Sequence, residues 1–267
     1  MDGPNLVRRG AAAVLAAAIC GGLSTLAPSA GRVEFAVAQR NGPSPSEAPE
    51  PARKPPPDCT RAKCVALTFD DGPAASTGEL LDILAARRVK ATFFLIGKNV
   101  AEYPELVRRE HEAGHEIADH SYSHANLGRA SKKKIVSELT RTQDAIRQAS
   151  GVTPTMLRPP YGSTSRRLSE ITREMGLAQV LWTVDPQDWD SRDTEDVERR
   201  VLAAAKPGYI VLMHDIHRTT VKAVPKIIDR LAAEGYVFVT VSELFGRRLT
   251  PGKEYVQLNS GEPQGLP

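Results

Sequence analysis

Aromatic side chains are scarce, 5% of 267 residues, which excludes an extended aromatic binding platform and leaves room only for a short groove. No block of one charge occurs: 35 basic residues against 32 acidic ones give a formal net charge of +3. That balance implies no nucleic-acid partner, and nothing in the sequence implies a protein partner. Long apolar runs are missing too, with one exception. Gly10 to Gly31 contains no charged residue and comes directly after Arg8-Arg9. A positive segment ahead of an apolar one reads as a secretory signal, with small-residue cleavage sites after Ala30 or at Ala36-Val37-Ala38. Left uncut, the same stretch is just long enough to anchor the chain in a membrane. The signal or anchor is assigned to residues 1–38, and the remainder of the chain is expected outside the cell, secreted or held at the wall or membrane.

Cysteine is rarer still, at three. Cys20 falls in the export segment, and Cys59 and Cys64 flank a four-residue loop. In an exported chain these two are expected to form a structural disulfide, since a half zinc site would lack a second pair of ligands nearby. Proline is concentrated instead: Pro43, Pro45, Pro49, Pro51, Pro55, Pro56 and Pro57 make 39–58 a polar, disordered linker that cannot bury a core. Residues 250–267 have similar character and are expected to be a disordered tail. The span 59–249 is left as the catalytic domain. At 41% hydrophobic and 25% charged, the chain has material for one sizeable core.

Within that span apolar strand patterns alternate with helical ones. Strands are predicted at 64–69, 91–96, 116–119, 155–158, 178–183, 209–213 and 236–241. Helices are predicted at 77–88, 102–113, 131–149, 165–175, 194–205 and 221–233, with Gly151, Gly176 and Gly235 where C-caps belong. Such alternation argues for parallel strands covered by helices. Polar residues gather at the strand ends: Asp70 and Asp71, His120 and His124, Arg158 and Tyr161, Asp185 and Asp188, His214 and Asp215. In a parallel barrel all carboxyl ends converge on one rim. The predicted fold is therefore α/β, a distorted (β/α) barrel of about seven parallel strands.

Asp70-Asp71 closes the apolar run Val65-Ala66-Leu67-Thr68-Phe69. Adjacent carboxylates there cost desolvation and mutual repulsion, and call for a cation or a shared proton. His120-Ser121-Tyr122-Ser123-His124 offers two imidazoles. One carboxylate with two histidines leaves metal positions open for water, the arrangement of a catalytic site. The second carboxylate is free to act as a base. Singly these features read as a capped turn before Gly72-Pro73 and two loop histidines; together they read as a metal-dependent hydrolase.

Thr68-Phe69-Asp70-Asp71-Gly72, the His120/His124 pair, Arg158-Pro159-Pro160-Tyr161-Gly162, Asp185-Pro186-Gln187-Asp188-Trp189 and Leu212-Met213-His214 resemble, in order, the five motifs of the polysaccharide deacetylases. This family is also called the NodB-homology domain or carbohydrate esterase family 4. The resemblance implies that Asp71, His120 and His124 hold the metal, usually Zn2+ with Co2+ another divalent option. It implies Asp70 as general base, paired with Arg158, and His214 as general acid partnered by Asp188. Tyr161 would offer its backbone amide to an oxyanion hole, and Tyr161, Trp189 and Leu212 would line the substrate pocket. Trp182, inside a strand pattern, is expected in the core. His111 and His115 are expected to be structural, and His217 has no assigned role.

The implied reaction is hydrolysis of N-acetyl groups on an N-acetylglucosamine polymer, peptidoglycan or chitin oligomers, releasing acetate. Rivals are an acetylxylan O-deacetylase, a catalytically inactive wall-binding protein and, from the ligand set alone, a non-haem Fe(II) oxygenase. The complete acid–base set argues against the last two.

Overall fold

The structure, a computed structural model, describes residues 57–258. The expected signal or anchor and nearly all of the Pro-rich linker lie outside the described residues. Among the described residues, no helix is long and apolar enough to cross a membrane.

Strand β1 (Cys64–Asp70) is buried throughout. Strand geometry sends successive side chains to opposite faces. Val65, Leu67 and Phe69 accordingly join one cluster with Leu80, Leu81 and Leu84 of helix α1 (Thr77–Arg87) and Ile227 and Leu231 of α8 (Arg218–Ala233). Cys64 and Ala66 join a second cluster, in the interior of the curled sheet. Each fully buried Leu, Ile or Phe stabilises such clusters by about 1.5–3 kcal/mol. The same split holds in β2 (Thr92–Leu95), β3 (Glu116–Asp119), β4 (Met156–Leu157), β5 (Ala178–Val180) and β6 (Ile210–His214). Phe94, Ala118, Met156, Ala178, Val180 and Ile210 lie on the inner face, and Phe93, Ile117, Val211 and Met213 on the outer one.

The strands pair in the order β6-β1-β2-β3-β4-β5-β8, every ladder parallel, with β8 being Glu254–Tyr255. Between them run α2 (Gly97–Glu102), α3 (Pro104–Glu112), α4 (Lys132–Ser150), α5 (Arg166–Glu174), α6 (Asp188–Ser191) and α7 (Thr194–Ala204). This is the expected distorted (β/α) barrel. Cys59 and Cys64 form the expected disulfide at its entrance.

Three local expectations are corrected. The helix predicted at 102–113 starts at Pro104, which lacks an N–H and suits a first helical position, and a short helix not predicted there, α2, precedes it. The strand predicted at 236–241 pairs only at β7 (Val237–Phe238), against the first residues of β1. It stops because Thr240 caps α9 (Val241–Phe245) in a reciprocal capping box with Glu243. Of the tail predicted from Thr250, the described residues carry structure: β8 pairs with β5, and Tyr255 packs edge-on against Phe245 in the inner cluster.

That segment helps to close the barrel. Leu181 N donates to Tyr255 O, and Gln257 bridges Tyr209 just before β6. Thr183 and Val184 then donate to Ile210 O, and Leu212 to Val184 O, so the chain leaving β5 meets β6. At the closure Gly208 has φ +87°, and a Cβ there would lie 2.5 Å from Leu258 O, so only glycine admits the closing strand. Tyr255 is 9% exposed and its hydroxyl accepts from Thr250 N. Tyr255→Ala is expected to lower unfolding free energy by about 3 kcal/mol in urea denaturation. An unchanged midpoint would mean that the closing segment contributes nothing.

Candidate active site

The alternation that builds the barrel also aims its polar residues. On β1 the inner positions are Cys64, Ala66, Thr68 and Asp70; on β6 they are Ile210, Leu212 and His214. Register pairs Asp70 with His214 on these neighbouring strands, at the carboxyl ends where barrel sites form. Arg158, two residues after inward Met156, points into the same interior and is fully buried.

Asp71, His120 and His124 each present one ligand atom within 4.8 Å of the others. Asp71 Oδ1 lies 3.4 Å from Nε2 of both histidines, is buried, and has no hydrogen-bond partner. His120 Nδ1 lies 2.7 Å from Arg158 O. A carbonyl only accepts, so Nδ1 carries a proton, and in the neutral form a metal requires the ring would turn its Nε2 lone pair towards the Asp71 oxygen. Lone pair facing carboxylate is repulsive unless a cation lies between them. The trio therefore fits a divalent ion such as Zn2+, which accepts nitrogen and oxygen donors. Without a metal, burial raises the Asp71 pKa, while the hydrogen bond and positive charge of the histidines in their protonated form lower it, for a net value of about 2. Burial also lowers that of His124, which favours the neutral ring a metal needs.

Asp70 stays outside the trio. Its Oδ1 accepts from Arg158 Nη1 at 2.6 Å, and its Oδ2 lies 3.7 Å from His120 Nε2. Opposite it, Asp188 holds His214 twice: Oδ1 lies 2.8 Å from Nδ1, and Oδ2 accepts the His214 backbone N–H at 2.8 Å. Thr220 Oγ1 also donates to that Oδ2. Burial lowers the His214 pKa, but the Asp188 hydrogen bond and charge outweigh it and raise the value to about 9. His214 is thus cationic and ready to give a proton at neutral pH.

A cavity of about 440 Å³ opens beside two of the trio, lined by Asp71, His124, Tyr161, Trp182, Asp185, Trp189 and Leu212. Tyr161 is 68% and Trp189 50% exposed. Tyr161 is the middle residue of the tight turn Pro160–Gly162 and has a left-handed backbone, not a helical one. Trp182, expected in the core, packs against the inner cluster but is only half-buried, and it also walls the cavity, with the Arg158 guanidinium 5.6 Å from its ring. His115 is structural as expected, its Nδ1 accepting from Ala91 N. His217 lies 6.0 Å from His214, ring to ring.

Residues 58–180 match the family model described as polysaccharide deacetylase. A chitooligosaccharide deacetylase of Bradyrhizobium is 42% identical over 160 residues, 59% of this chain and 73% of that protein. The chain belongs to the polysaccharide deacetylase family. The peptidoglycan-N-acetylglucosamine deacetylase PgdA of Listeria monocytogenes is 44% identical over 194 residues, 72% of this chain. The match covers 41% of the Listeria protein, so the chain spans about two fifths of that relative's length. The solved structure of the T48 deacetylase with substrate superposes with a TM-score of 0.72 at 44% identity, covering 74% of this chain and 98% of that one.

Several residues that shape this deacetylase-family site are not singled out by the sequence alone. Glu138 of α4 accepts from Ser123 N at 2.7 Å and from Ser123 Oγ at 2.9 Å, which pins the loop between the two histidines. Its signal is visible in the chain: a carboxylate inside the buried stripe Ile135, Leu139, Thr142 and Ile146. Thr68, which accepts from Arg158 Nη1, is likewise a polar residue inside an apolar run. Asn99, which donates to Asp71 O, carries no such signal.

The His214–Asp188 pair gives a signed prediction. A histidine pKa raised by folding stabilises fully below its ordinary 6.5, and that contribution is lost as pH rises through about 9. In the metal-free chain, Asp188→Asn should bring the His214 titration, followed by ring NMR, from about 9 down towards 6.5. A variant still titrating near 9 would show that Asp188 is not the cause.

Proposed function

We propose that this chain hydrolyses N-acetyl groups on an extracellular N-acetylglucosamine polymer, releasing acetate and leaving a free amine. The observation that carries the reading is the placement of Asp70 and His214 side by side on neighbouring strands, flanking a three-ligand cluster that fits a divalent ion. Two groups with separate tasks, a carboxylate to take a proton and a charged imidazole to give one, are what amide hydrolysis needs.

Asp71, His120 and His124 would hold the ion, taken as Zn2+. Bound there, it would supply Lewis-acid polarisation of the acetyl carbonyl and acidify water. Asp70 takes the proton of the attacking water, with Arg158 keeping its carboxylate oriented. The Tyr161 N–H would donate to the oxygen on which negative charge develops. His214, kept charged by Asp188, gives its proton to the departing sugar nitrogen; an amine expelled without a proton is a very poor leaving group. Tyr161, Trp182 and Trp189 offer ring faces to the sugar, and Leu212 offers an apolar floor for the methyl group.

Peptidoglycan is favoured as the polymer. The Listeria relative bears that substrate in its name, and the exported character of residues 1–38 supports a secreted or wall-associated enzyme. The Pro-rich span up to 58 would act as a spacer.

The full chain should release acetate from peptidoglycan and N-acetylglucosamine oligomers, lose this activity to a chelator and regain it with zinc. Asp70→Asn should lower kcat by about a hundredfold to ten-thousandfold with zinc still bound. Release from acetylated xylan alone would replace the amide reading with an esterase. Zinc binding without release from any of the three would favour a wall-binding protein.

A further inference from the structure

The two histidines of the ligand cluster are held in different ways. His120 is buried, and its Nδ1 meets a main-chain carbonyl, Arg158 O. His124 stands on the outer part of its loop with 28% of its side chain exposed, and its Nδ1 meets the hydroxyl of Tyr161 at 3.1 Å. The rings also touch edge to face, centroids 4.6 Å apart. Both residues occupy the left-handed region, His124 at φ 55° and Tyr161 at φ 62°. That region is costly for bulky side chains and persists only where surrounding contacts enforce it.

We infer that the Tyr161 hydroxyl is a positioning group for metal capture, accepting the His124 Nδ1 proton and so presenting Nε2 as a lone pair beside Asp71 Oδ1. A metal-binding imidazole needs an acceptor on its other nitrogen to fix the tautomer and the ring plane. For His120 the buried backbone supplies it. For His124 it comes from a side chain that also walls the substrate cavity, so the hold on the metal depends on a residue of the groove. A sugar packed against the Tyr161 ring would steady the hydroxyl and tighten the metal, and by reciprocity the metal would favour the sugar.

The inference rests on reading Asp71, His120 and His124 as ligands, and Tyr161→Phe separates the two. Phenylalanine keeps the ring, the edge-to-face contact and the backbone amide, and removes one oxygen. Zinc affinity of the full chain is measured by competition with a chromophoric chelator, beside the thermal midpoint of the metal-free protein. The expected result is a dissociation constant raised about tenfold, with the metal-free midpoint unchanged. His124→Ala serves as the control for the ligand reading. If His124→Ala loses zinc while Tyr161→Phe binds within twofold of the unaltered chain, the role of the hydroxyl is overturned and the ligand reading survives. If His124→Ala binds zinc as the unaltered chain does, both are overturned.

Discussion

A guanidinium cut off from water has to find its partners inside the protein, and the partners of Arg158 tie the barrel to its rim. Nη1 donates to Thr68 Oγ1 and Asp70 Oδ1 on β1, while Nε and Nη2 donate to Val180 O and Leu181 O at the end of β5. The guanidinium lies 4.0 Å from the centre of the Phe94 ring on β2. The carbonyl of the same residue orients His120. The buried residue that follows β4 thus ties together β1, β2 and β5, its guanidinium touching the proposed base and its carbonyl a proposed ligand. Removing one partner of such a pair leaves a charge stranded in the interior, at a cost of about 3–5 kcal/mol. That penalty makes the rim rigid.

Around this anchor the loops store strain. Asp71, Ser121, His124, Tyr161 and Gln187 all have positive φ without being glycine, and each belongs to a loop bearing a site residue. Such conformations cost about 1–3 kcal/mol apiece and need outside support. Asn99 supplies it to Asp71, Glu138 to the histidine loop, and Asp185 to Gln187, whose N–H it accepts at 2.8 Å. At Gly72 a Cβ would meet the Asp215 carboxylate at 2.6 Å, so the turn after the aspartates closes directly onto the residue next to His214. The two halves of the site are therefore packed against each other.

The buried ionisable groups pull stability in opposite directions. Burial raises Asp188, but His214 and the Thr220 hydrogen bond hold it below the ordinary carboxylate range; it stabilises the fold at neutral pH and loses that contribution on acidification. Asp215, raised to about 7 by burial, and Glu110, raised well above the usual range by burial and by Asp215, have the reverse sign. They favour the folded state while protonated and oppose it as pH rises. The acid–base arrangement is thus set within a fold that tolerates buried carboxyls on either side of it.

The class of the fold and the identity of the clustered residues were legible in the chain because both rest on short-range rules. A continuous apolar run ending at Asp70-Asp71 marks Val65 to Phe69 as a strand buried on both faces, and helical stripes with glycine stops mark α4 and α5. Paired carboxylates and paired histidines at strand ends have few chemical uses. What the chain alone did not disclose depends on contacts between distant segments. Trp182 sits in a strand-like pattern yet walls the cavity, because β5 ends at Val180 and the chain turns towards β6. Residues up to Leu258 look like a tail yet close the barrel, because β5 offers them an edge. Asn99 and Glu138 gain meaning only from the loops that fold over them. Local periodicity decided which residues face inward; only tertiary packing decided which inward residues meet, since meeting depends on strand order and register rather than on any property of the residues themselves.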